Sequence, residues 1–189
     1  MTRLGADLLR VVAEPLSTIM GRLGAGSTAD LHRAIAVAWR PSRAPDRPPE
    51  YLRAEQIDSW RRLVAALRAY RTAVLADPIG TGKTWIAMAA ALRLDHRFDV
   101  VAPASLALEW HDTASRAGVQ PPRFLSFERA SRGHVLSGAP RVTIVDEAHR
   151  LRNRDTRRFA SLAPWLADRI TIFITATPVV RSPLNLITL

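Results

Sequence analysis

The sequence predicts an α/β protein with a central, mainly parallel sheet that helices flank on both faces. Two observations favour this fold class. Between residues 51 and 189, short apolar segments without polar alternation alternate with longer segments whose apolar residues recur at helical spacing, a pattern typical of strands buried on both faces. A glycine-rich loop, ADPIGTGKT at 76–84, joins one of these strands to the helix that follows it, and strand–loop–helix units of this kind occur in parallel α/β folds.

Length and composition describe one globular domain with a full hydrophobic core. The chain has 189 residues, of which 48% are hydrophobic, so one core is the starting assumption. It contains no cysteine, which excludes disulfides, thiolate metal sites and a cysteine nucleophile. The formal net charge of +10 favours a polyanionic partner such as nucleic acid.

The first part of the chain predicts a separate N-terminal element. Two helical stretches flank the glycine-rich turn GRLGAGS at 21–27, and we predict an N-terminal helical element at 1–40. A proline-rich segment follows at 41–50 and predicts a linker. Charged residues interrupt the apolar runs near the N-terminus, so we expect no signal peptide, no membrane partner and a cytoplasmic location.

The main domain is predicted at 51–189 and begins with a helix. EQIDSWRRLVAALRAY at 55–70 repeats apolar residues at helical spacing and contains Trp60, an expected core residue. TAVLA at 72–76 predicts a short strand that leads into the glycine-rich loop. TWIAMAAALRL at 84–94 predicts the helix that follows the loop.

The remaining elements repeat the alternation of strand and helix. FDVVA at 98–102 predicts a strand. SLALEWHDTASRAG at 105–118 predicts a helix that ends at a glycine and contains Trp110, another expected core residue. Three further apolar segments complete the predicted sheet: RFLSF at 123–127, RVTIVD at 141–146 and RITIFIT at 169–175.

The glycine-rich loop predicts an anion site. A loop between a buried strand and a helix lets the free N–H groups of the first helical turn point at a ligand. Gly80 and Gly82 allow the backbone to curl around phosphate oxygens. Lys83 is the only lysine beside 26 arginines, and its compact ammonium can reach a phosphate as a point charge, whereas a guanidinium suits forked contacts. The hydroxyl of Thr84 is the expected magnesium ligand.

The strict phosphate-loop pattern G-x-x-x-x-G-K-[ST] is not met, because Asp77 stands where its first glycine would be. The alternative interpretation is a glycine-rich turn with an incidental lysine. Under the phosphate-binding interpretation, the nucleotide-binding residues of the loop are Asp77, Pro78, Ile79, Gly80, Thr81, Gly82, Lys83 and Thr84.

Two acids, Asp146 and Glu147, stand at the end of the apolar strand predicted at 141–146. Ligands of parallel α/β sheets bind outside the carboxyl ends of the strands, so we expect the two acids to face the same crevice as the glycine-rich loop. Asp146 would hold Mg²⁺ together with Thr84, and Glu147 would orient and polarise the attacking water. The alternative is that the acids cap the following helix.

These residues together carry a resemblance to a known family. ADPIGTGKT with DEAH at 146–149 resembles the first RecA-like lobe of superfamily 2 helicases and translocases, most closely the chromatin-remodeller-like branch, whose loop reads D-x-x-G-x-G-K-T. Pro78 departs from the acidic residue common in eukaryotic members of that branch. Four further segments resemble motifs of the branch in the same order: YLRAEQIDSW its glutamine motif, VVAPASLALEW motif Ia, FLSFERASRG motif Ib and ITIFITATP motif III.

The resemblance implies a RecA-like P-loop lobe that binds ATP and Mg²⁺ and hydrolyses ATP on nucleic acid, with double-stranded DNA as the expected partner. It gives catalytic roles to Lys83, Asp146 and Glu147. It places Gln56 in the adenine-reading position. The positions that couple the ATP site to the DNA site are those of His149, Thr175 and Thr177.

Superfamily 2 motors hydrolyse ATP between two RecA-like lobes, and the second lobe supplies arginine fingers. The sequence shows no second lobe after the segment that resembles motif III, so we expect a second RecA-like lobe to act in cis or in trans. Because an arginine finger contributes about 10³–10⁵ in rate, we expect weak hydrolysis by this lobe alone.

The segment RLRNRDTRR at 150–158 holds five arginines and one aspartate. On a lobe that meets a nucleic-acid backbone, such a cluster would add phosphate contacts. The alternative is a solvated helix face. The candidate nucleic-acid contacts are Arg150, Arg152, Arg154, Arg157 and Arg158.

Two alternative functions agree with the same residues. One is a single-lobe P-loop ATPase that completes its site by self-association. The other is a non-catalytic DNA-binding or regulatory module whose ATP site is vestigial, although every acid and hydroxyl that the chemistry needs is present.

Overall fold

The computed structural model describes residues 47–138 and 140–175. The N-terminal helical element predicted at 1–40, residues 41–46 of the predicted linker, and Thr177 lie outside the described residues. Residues 47–49 form neither helix nor strand, in keeping with their proline content.

The described residues form five strands and five α-helices, together with two 3₁₀ segments. The helices and strands in chain order are α1 (Ala54–Tyr70), β1 (Thr72–Leu75), α2 (Lys83–Leu94), β2 (Asp99–Ala102), α3 (Ala107–Arg116), β3 (Arg123–Ser126), α4 (Phe127–Ala130), β4 (Val142–Val145), α5 (Arg157–Ala167) and β5 (Ile170–Ile174). The 3₁₀ segments are Ala104–Leu106 and Ala148–Leu151.

The five strands form one sheet in the order β1-β5-β4-β2-β3, and every neighbouring pair is parallel. The predicted parallel sheet is therefore confirmed. Strands β2 and β4 lie inside the sheet and are buried at every position, which explains their apolar runs without polar alternation. All five strands end at the same edge of the sheet, the carboxyl edge.

Helices cover both faces of the sheet. On one face, strand residues such as Val100, Ile144 and Ile172 pack in a core that includes Trp60 of α1 and Trp110 of α3. On the other face, the alternate strand residues pack with α4, α5 and the second 3₁₀ segment; this second core includes Val101, Leu125, Val145, Phe173, Phe127, Leu151 and Leu162. The alternation of neighbouring strand residues between the two cores follows from the two-residue period of a strand.

Three segments differ from the sequence prediction. The strand predicted at 123–127 ends at Ser126, and Phe127 begins the short helix α4, which was not predicted. The helix predicted at 105–118 is divided into the 3₁₀ segment Ala104–Leu106 and α3. Helix α5 was not predicted, since it contains Pro164, and an internal proline removes a helical hydrogen bond. The helix forms because Thr156 Oγ1 accepts a hydrogen bond from the backbone N–H of Phe159 at its N-terminus and because Leu162 is fully buried.

A buried charge cluster stabilises the opposite, amino edge of the sheet. The carboxylate of Asp99 is fully buried and accepts two hydrogen bonds from Arg123, at 2.7 and 2.8 Å, and one from Arg169, at 2.9 Å. Arg169 also donates to the carbonyl of Pro140 and lies 4.0 Å over the ring of Trp165. The cluster joins β2, β3 and β5 on the side away from the glycine-rich loop.

Candidate active site

The glycine-rich loop and the acidic pair lie at the carboxyl edge of the same sheet. The loop follows β1, and Asp146 follows β4. Strand β5, which ends just before Thr175, lies between β1 and β4. Two interstrand steps, together about 10 Å, therefore separate the ends of β1 and β4, which leaves room for a ligand that both contact.

Backbone conformation and close packing both require glycine in the loop. Gly80 and Gly82 have φ values of 85° and 77°, in the left-handed region that L side chains rarely adopt. A Cβ atom at Gly82 would overlap the side-chain nitrogen of Gln56, whereas a Cβ at Gly80 would meet nothing within 4 Å. Gly80 is therefore required by its positive φ alone, whereas Gly82 is required by its positive φ and by its close contact with Gln56.

The N-terminus of α2 has no side-chain cap and is positively polarised. Gly82 is its N-cap residue and provides no side-chain acceptor, and the first turn contains no acidic residue. Ser126 and Thr156 cap α4 and α5 with their hydroxyl oxygens, whereas Leu106, the N-cap residue of α3, provides no side-chain acceptor, as at Gly82. An uncapped helix N-terminus favours a bound anion because its first N–H groups and its dipole both point at the ligand.

Lys83 lies against the carbonyl groups of its own loop. Its Nζ donates to the backbone oxygen of Asp77 at 2.8 Å and to that of Pro78 at 2.9 Å. The hydroxyl of Thr81 also donates to the Pro78 carbonyl, at 2.9 Å. The ammonium is thus held at the mouth of the loop, where it would exchange these carbonyl oxygens for phosphate oxygens.

Gln56 connects α1 to the loop. Its side chain is buried, its Oε1 accepts a hydrogen bond from the backbone N–H of Arg53 at 3.0 Å, and its Nε2 donates to the Thr81 carbonyl at 2.9 Å. The family resemblance implies adenine recognition by this residue. In the structure its amide contacts the loop backbone and so fixes the loop conformation.

Both carboxylate oxygens of Asp146 accept a hydrogen bond. Oδ1 accepts from the backbone N–H of Glu147 at 2.8 Å, and Oδ2 accepts from the indole Nε1 of Trp110 at 3.1 Å. Burial raises the pKa of Asp146, and these two hydrogen bonds oppose that effect. The sequence predicts Trp110 as a core residue, and its bond to Asp146 was not predicted; the one general signal is that a buried indole N–H usually, though not in every case, has an acceptor.

Glu147 has a backbone conformation that is uncommon for a residue with a side chain. Its φ and ψ are 52° and 43°, in the left-handed region. Such strain is often found at functional sites. Its side chain makes no capping hydrogen bond to the following 3₁₀ segment, in contrast to the capping alternative, and its Oε2 lies 3.0 Å from Nδ1 of His149.

Of the three residues assigned to coupling between the ATP and DNA sites, His149 lies beside Glu147 and Thr175 lies at the end of β5. His149 contacts Glu147, as described above. Thr175 is buried, and its backbone N–H donates to the Leu75 carbonyl at 3.3 Å, which joins the end of β5 to the end of β1 beside the loop. Thr177 is outside the described residues.

The arginine cluster divides into two groups. Arg152 donates to the His149 carbonyl at 2.8 Å, and the Arg158 guanidinium lies 5.9 Å from the centre of the Phe127 ring. Both therefore have contacts within the protein. The side chains of the other three are exposed: Arg150, Arg154 and Arg157.

A carboxylate and a hydroxyl suit a magnesium ion that arrives with a nucleotide. Within residues 47–138 and 140–175, no group of three or more His, Asp or Glu side chains could enclose a metal ion. Mg²⁺ commonly binds through one or two carboxylates together with waters and substrate phosphates. Asp146, with its fixed carboxylate, and Thr84, in the first turn of α2, agree with that ligand set.

None of the helices in the described part of the chain is both long enough and apolar enough to cross a membrane.

Comparisons with known proteins support the resemblance. No protein-family model matches the chain. A protein of Acanthamoeba polyphaga mimivirus, by its name an ATP-dependent RNA helicase, is 29% identical over 127 residues, which cover 64% of this chain and 28% of that protein. The Sulfolobus solfataricus SWI2/SNF2 ATPase core, solved in complex with dsDNA, matches the fold with a TM-score of 0.59 at 19% identity, over 75% of this chain and 35% of that chain.

The structural match confirms the predicted fold class, that of a RecA-like lobe. The chain is thus similar in sequence to a protein named as an ATP-dependent RNA helicase and similar in fold to the SWI2/SNF2 ATPase core. It spans about a third or less of each of these two proteins, 28% of one and 35% of the other.

Proposed function

We propose that this chain is the ATP-binding lobe of a nucleic-acid-dependent ATPase of the helicase or translocase type. One observation carries the proposal. The loop that holds Lys83 and the acids Asp146 and Glu147 follow two parallel strands of one sheet, and β5 lies between those strands with Thr175 at its end. A triphosphate between the loop and the acids would contact all of them.

The loop and the start of α2 would bind the phosphates. The glycine at the N-cap leaves the first helical N–H groups without a side-chain acceptor, so they can donate to phosphate oxygens. Lys83 would move its ammonium from the carbonyls of Asp77 and Pro78 to the phosphates. Those carbonyls lie 2.8 and 2.9 Å from Nζ, so the ammonium lies against the loop that would bind the phosphates.

Thr84 and Asp146 would hold Mg²⁺, which when bound neutralises phosphate charge. Glu147 would orient the attacking water and accept its proton. The side chain of Glu147 is 41% exposed, so water can reach it. Nδ1 of His149 lies 3.0 Å from the Glu147 carboxylate.

We also propose that a second RecA-like lobe, in cis or in trans, completes the site. The chain covers only 35% of the SWI2/SNF2 ATPase core, and an arginine finger from another lobe would contribute about 10³–10⁵ in rate. Duplex DNA is the nucleic acid that we propose, on the basis of the chromatin-remodeller-like motifs and the DNA-bound structural match. Arg150, Arg154 and Arg157 are exposed and would contact its phosphates.

Calorimetric binding of ATP in the presence of Mg²⁺ tests the ATP site. We expect the wild-type chain to bind and Lys83→Ala to lose most of that affinity, since the charge that faces the phosphates is removed. Arg97→Ala is the matched control, because it removes an exposed cation that precedes β2 at the amino edge. Equal binding by both variants, or no binding by the wild type, would contradict the site and favour a non-catalytic module.

ATPase assays test the motor function. We expect turnover of the chain to be slow alone and to rise when duplex DNA and a separately produced second lobe are added. Turnover that is already fast alone and unaffected by DNA contradicts the proposal. A rate that increases faster than linearly with the concentration of this chain favours the self-associating alternative.

A further inference from the structure

Trp110 is a core residue with a polar contact in the candidate active site. Its side chain is 1% exposed, and its ring lies edge-on to that of Phe98, with centroids 6.4 Å apart. The indole Nε1 donates to Oδ2 of Asp146 at 3.1 Å, across 36 residues of sequence. The packing thus fixes the indole plane, and the indole in turn fixes the carboxylate.

The acceptor distinguishes Trp110 from Trp165 and from Trp60. Trp165 donates to a backbone carbonyl, that of Leu136, at 2.7 Å. Trp60 is fully buried in the same core as Trp110, yet its Nε1 has no partner among the described residues. A carbonyl or no acceptor would suffice for packing, whereas Trp110 contacts the carboxylate that we assign to Mg²⁺.

The two hydrogen bonds of Asp146 leave acceptor capacity on both oxygens. A carboxylate oxygen has two lone pairs, and Oδ1 and Oδ2 each use one, toward Glu147 and Trp110 respectively. The bonds prevent rotation of the carboxylate, so its remaining lone pairs keep one direction. Donors of this kind orient metal ligands in many sites, and their removal lowers metal affinity by about 10–100-fold.

We propose that Trp110 is a positioning residue that holds the Asp146 carboxylate in the orientation required for Mg²⁺·nucleotide binding. The proposal rests on the proposed function, since it assumes that Asp146 takes part in magnesium binding. The proposal adds to the magnesium site a residue that lies on helix α3, away from the loop and from β4. The same residue is also part of the hydrophobic core.

Calorimetry on the full chain with and without Mg²⁺ tests the proposal. The measured quantity is the ratio of the ATP dissociation constant in EDTA to that in excess Mg²⁺. We expect Trp110→Phe, which keeps an aromatic ring and removes the N–H, to lower this ratio by about 10-fold and to leave the dissociation constant in EDTA unchanged. Trp60→Phe removes the same atoms from the same core and should leave both quantities unchanged.

The outcomes separate this proposal from the proposed function. If the wild type binds Mg²⁺·ATP and the two variants have equal ratios, Trp110 is only a core residue and the positioning role is wrong. If the wild type shows no magnesium-dependent binding, the proposed function itself is wrong. If Trp110 had only a structural role, either variant could have a lower melting temperature, but Trp110→Phe would not have a lower ratio of ATP dissociation constants than Trp60→Phe.

A measurement on the wild-type chain covers the case in which Trp110→Phe does not fold. In a ¹H–¹⁵N spectrum, we expect one indole N–H resonance to move on addition of Mg²⁺ with a non-hydrolysable ATP analogue. The same resonance should stay in place with the analogue in EDTA. Asp146→Asn should shift that resonance in the free protein, which assigns it to Trp110. Absence of any magnesium-dependent indole shift would overturn the proposal.

Discussion

Gly82 has two constraints, whereas Gly80 has one. Both residues have positive φ, but only at Gly82 would an added Cβ overlap Gln56. We expect Gly80→Ala to lower the free energy of unfolding by about 1–2 kcal/mol, the cost of a left-handed non-glycine residue. Gly82→Ala should cost more and should also weaken ATP binding, because Gln56 and the loop must move apart. Urea denaturation and calorimetry measure the two effects, and equal losses for the two variants would refute the close-packing argument.

Both polar atoms of the Gln56 amide have hydrogen-bond partners within the protein. Its oxygen accepts from the Arg53 N–H, and its nitrogen donates to the Thr81 carbonyl. Gln56→Glu would keep the acceptor and place an oxygen opposite the Thr81 carbonyl. We expect this change to weaken binding of ATP and of inorganic tripolyphosphate alike, each by roughly fivefold, since a lost hydrogen bond is worth about 1 kcal/mol. Tripolyphosphate has no base, so a loss confined to ATP would show that Gln56 acts on adenine alone.

At the scale of elements, α4 is joined to the 3₁₀ segment Ala104–Leu106 through one carboxylate. Glu128 Oε2 accepts a hydrogen bond from the backbone N–H of Ala104 at 3.3 Å. Hydrogen bonding to its own backbone N–H is the largest cause that lowers the pKa of Glu128, and Ser126, Ala104 and the charge of Arg150 add to it. The ionised form is therefore favoured in the folded state.

A lowered folded-state pKa gives a defined pH dependence. The contribution of Glu128 to stability is present above the pKa of the unfolded state and is lost as the pH falls through the lower folded-state pKa. Glu128→Gln keeps an acceptor for Ala104 and removes the charge. We expect wild type to be more stable than the variant at pH 7 and this advantage to vanish in acid. Urea denaturation at a series of pH values measures the free energy of unfolding of both proteins. A difference between them that stays constant as the pH falls would contradict the prediction.

Local periodicity predicted most elements, because a strand buried on both faces is apolar at every position. Strand β2, observed at Asp99–Ala102, was predicted at 98–102, and β5, observed at Ile170–Ile174, was predicted at 169–175. Helix α5 was missed because Pro164 argues against a helix locally, while burial of Leu162 decides in its favour. Tertiary packing here outweighs local preference.

The parts of the site that are continuous in sequence were predictable, and those that depend on distant contacts were not. The placement of the loop and the acids at one edge of the sheet was predicted from their positions directly after strands, and the structure has them there. The Trp110–Asp146 bond joins residues 36 positions apart, and the Gln56–Thr81 bond joins residues 25 apart. Neither bond has a local pattern, since each depends on how α1 and α3 pack on the sheet.

At the scale of the whole molecule, we assign separate roles to the two edges of the sheet: ATP binding to the carboxyl edge and stability to the amino edge. The amino edge holds the Asp99 cluster, in which the fully buried carboxylate pairs with Arg169, 10% exposed, and with Arg123, 42% exposed. Removing one partner of a buried ion pair costs about 3–5 kcal/mol. We expect Asp99→Ala to lower the free energy of unfolding by about that amount and, where the variant is folded, to leave ATP affinity unchanged.

Asp155→Ala is the control for the Asp99 variant, since Asp155 is an exposed aspartate and surface changes alter stability by less than about 0.5 kcal/mol. Urea denaturation measures stability, and calorimetry under folding conditions measures ATP affinity. A large loss of affinity in folded Asp99→Ala would show that the two edges are coupled.

The central claim is that the glycine-rich loop and the acids Asp146 and Glu147 share one nucleotide site. The most direct test of this shared site is a crystal structure of the chain with a non-hydrolysable ATP analogue and Mg²⁺. We predict that Lys83 Nζ leaves the carbonyls of Asp77 and Pro78 and contacts a phosphate oxygen. Mg²⁺ should lie between Thr84 and Asp146 at the carboxyl edge. An analogue bound elsewhere, or one that leaves Lys83 on its own loop and Asp146 away from the metal, would contradict the shared site.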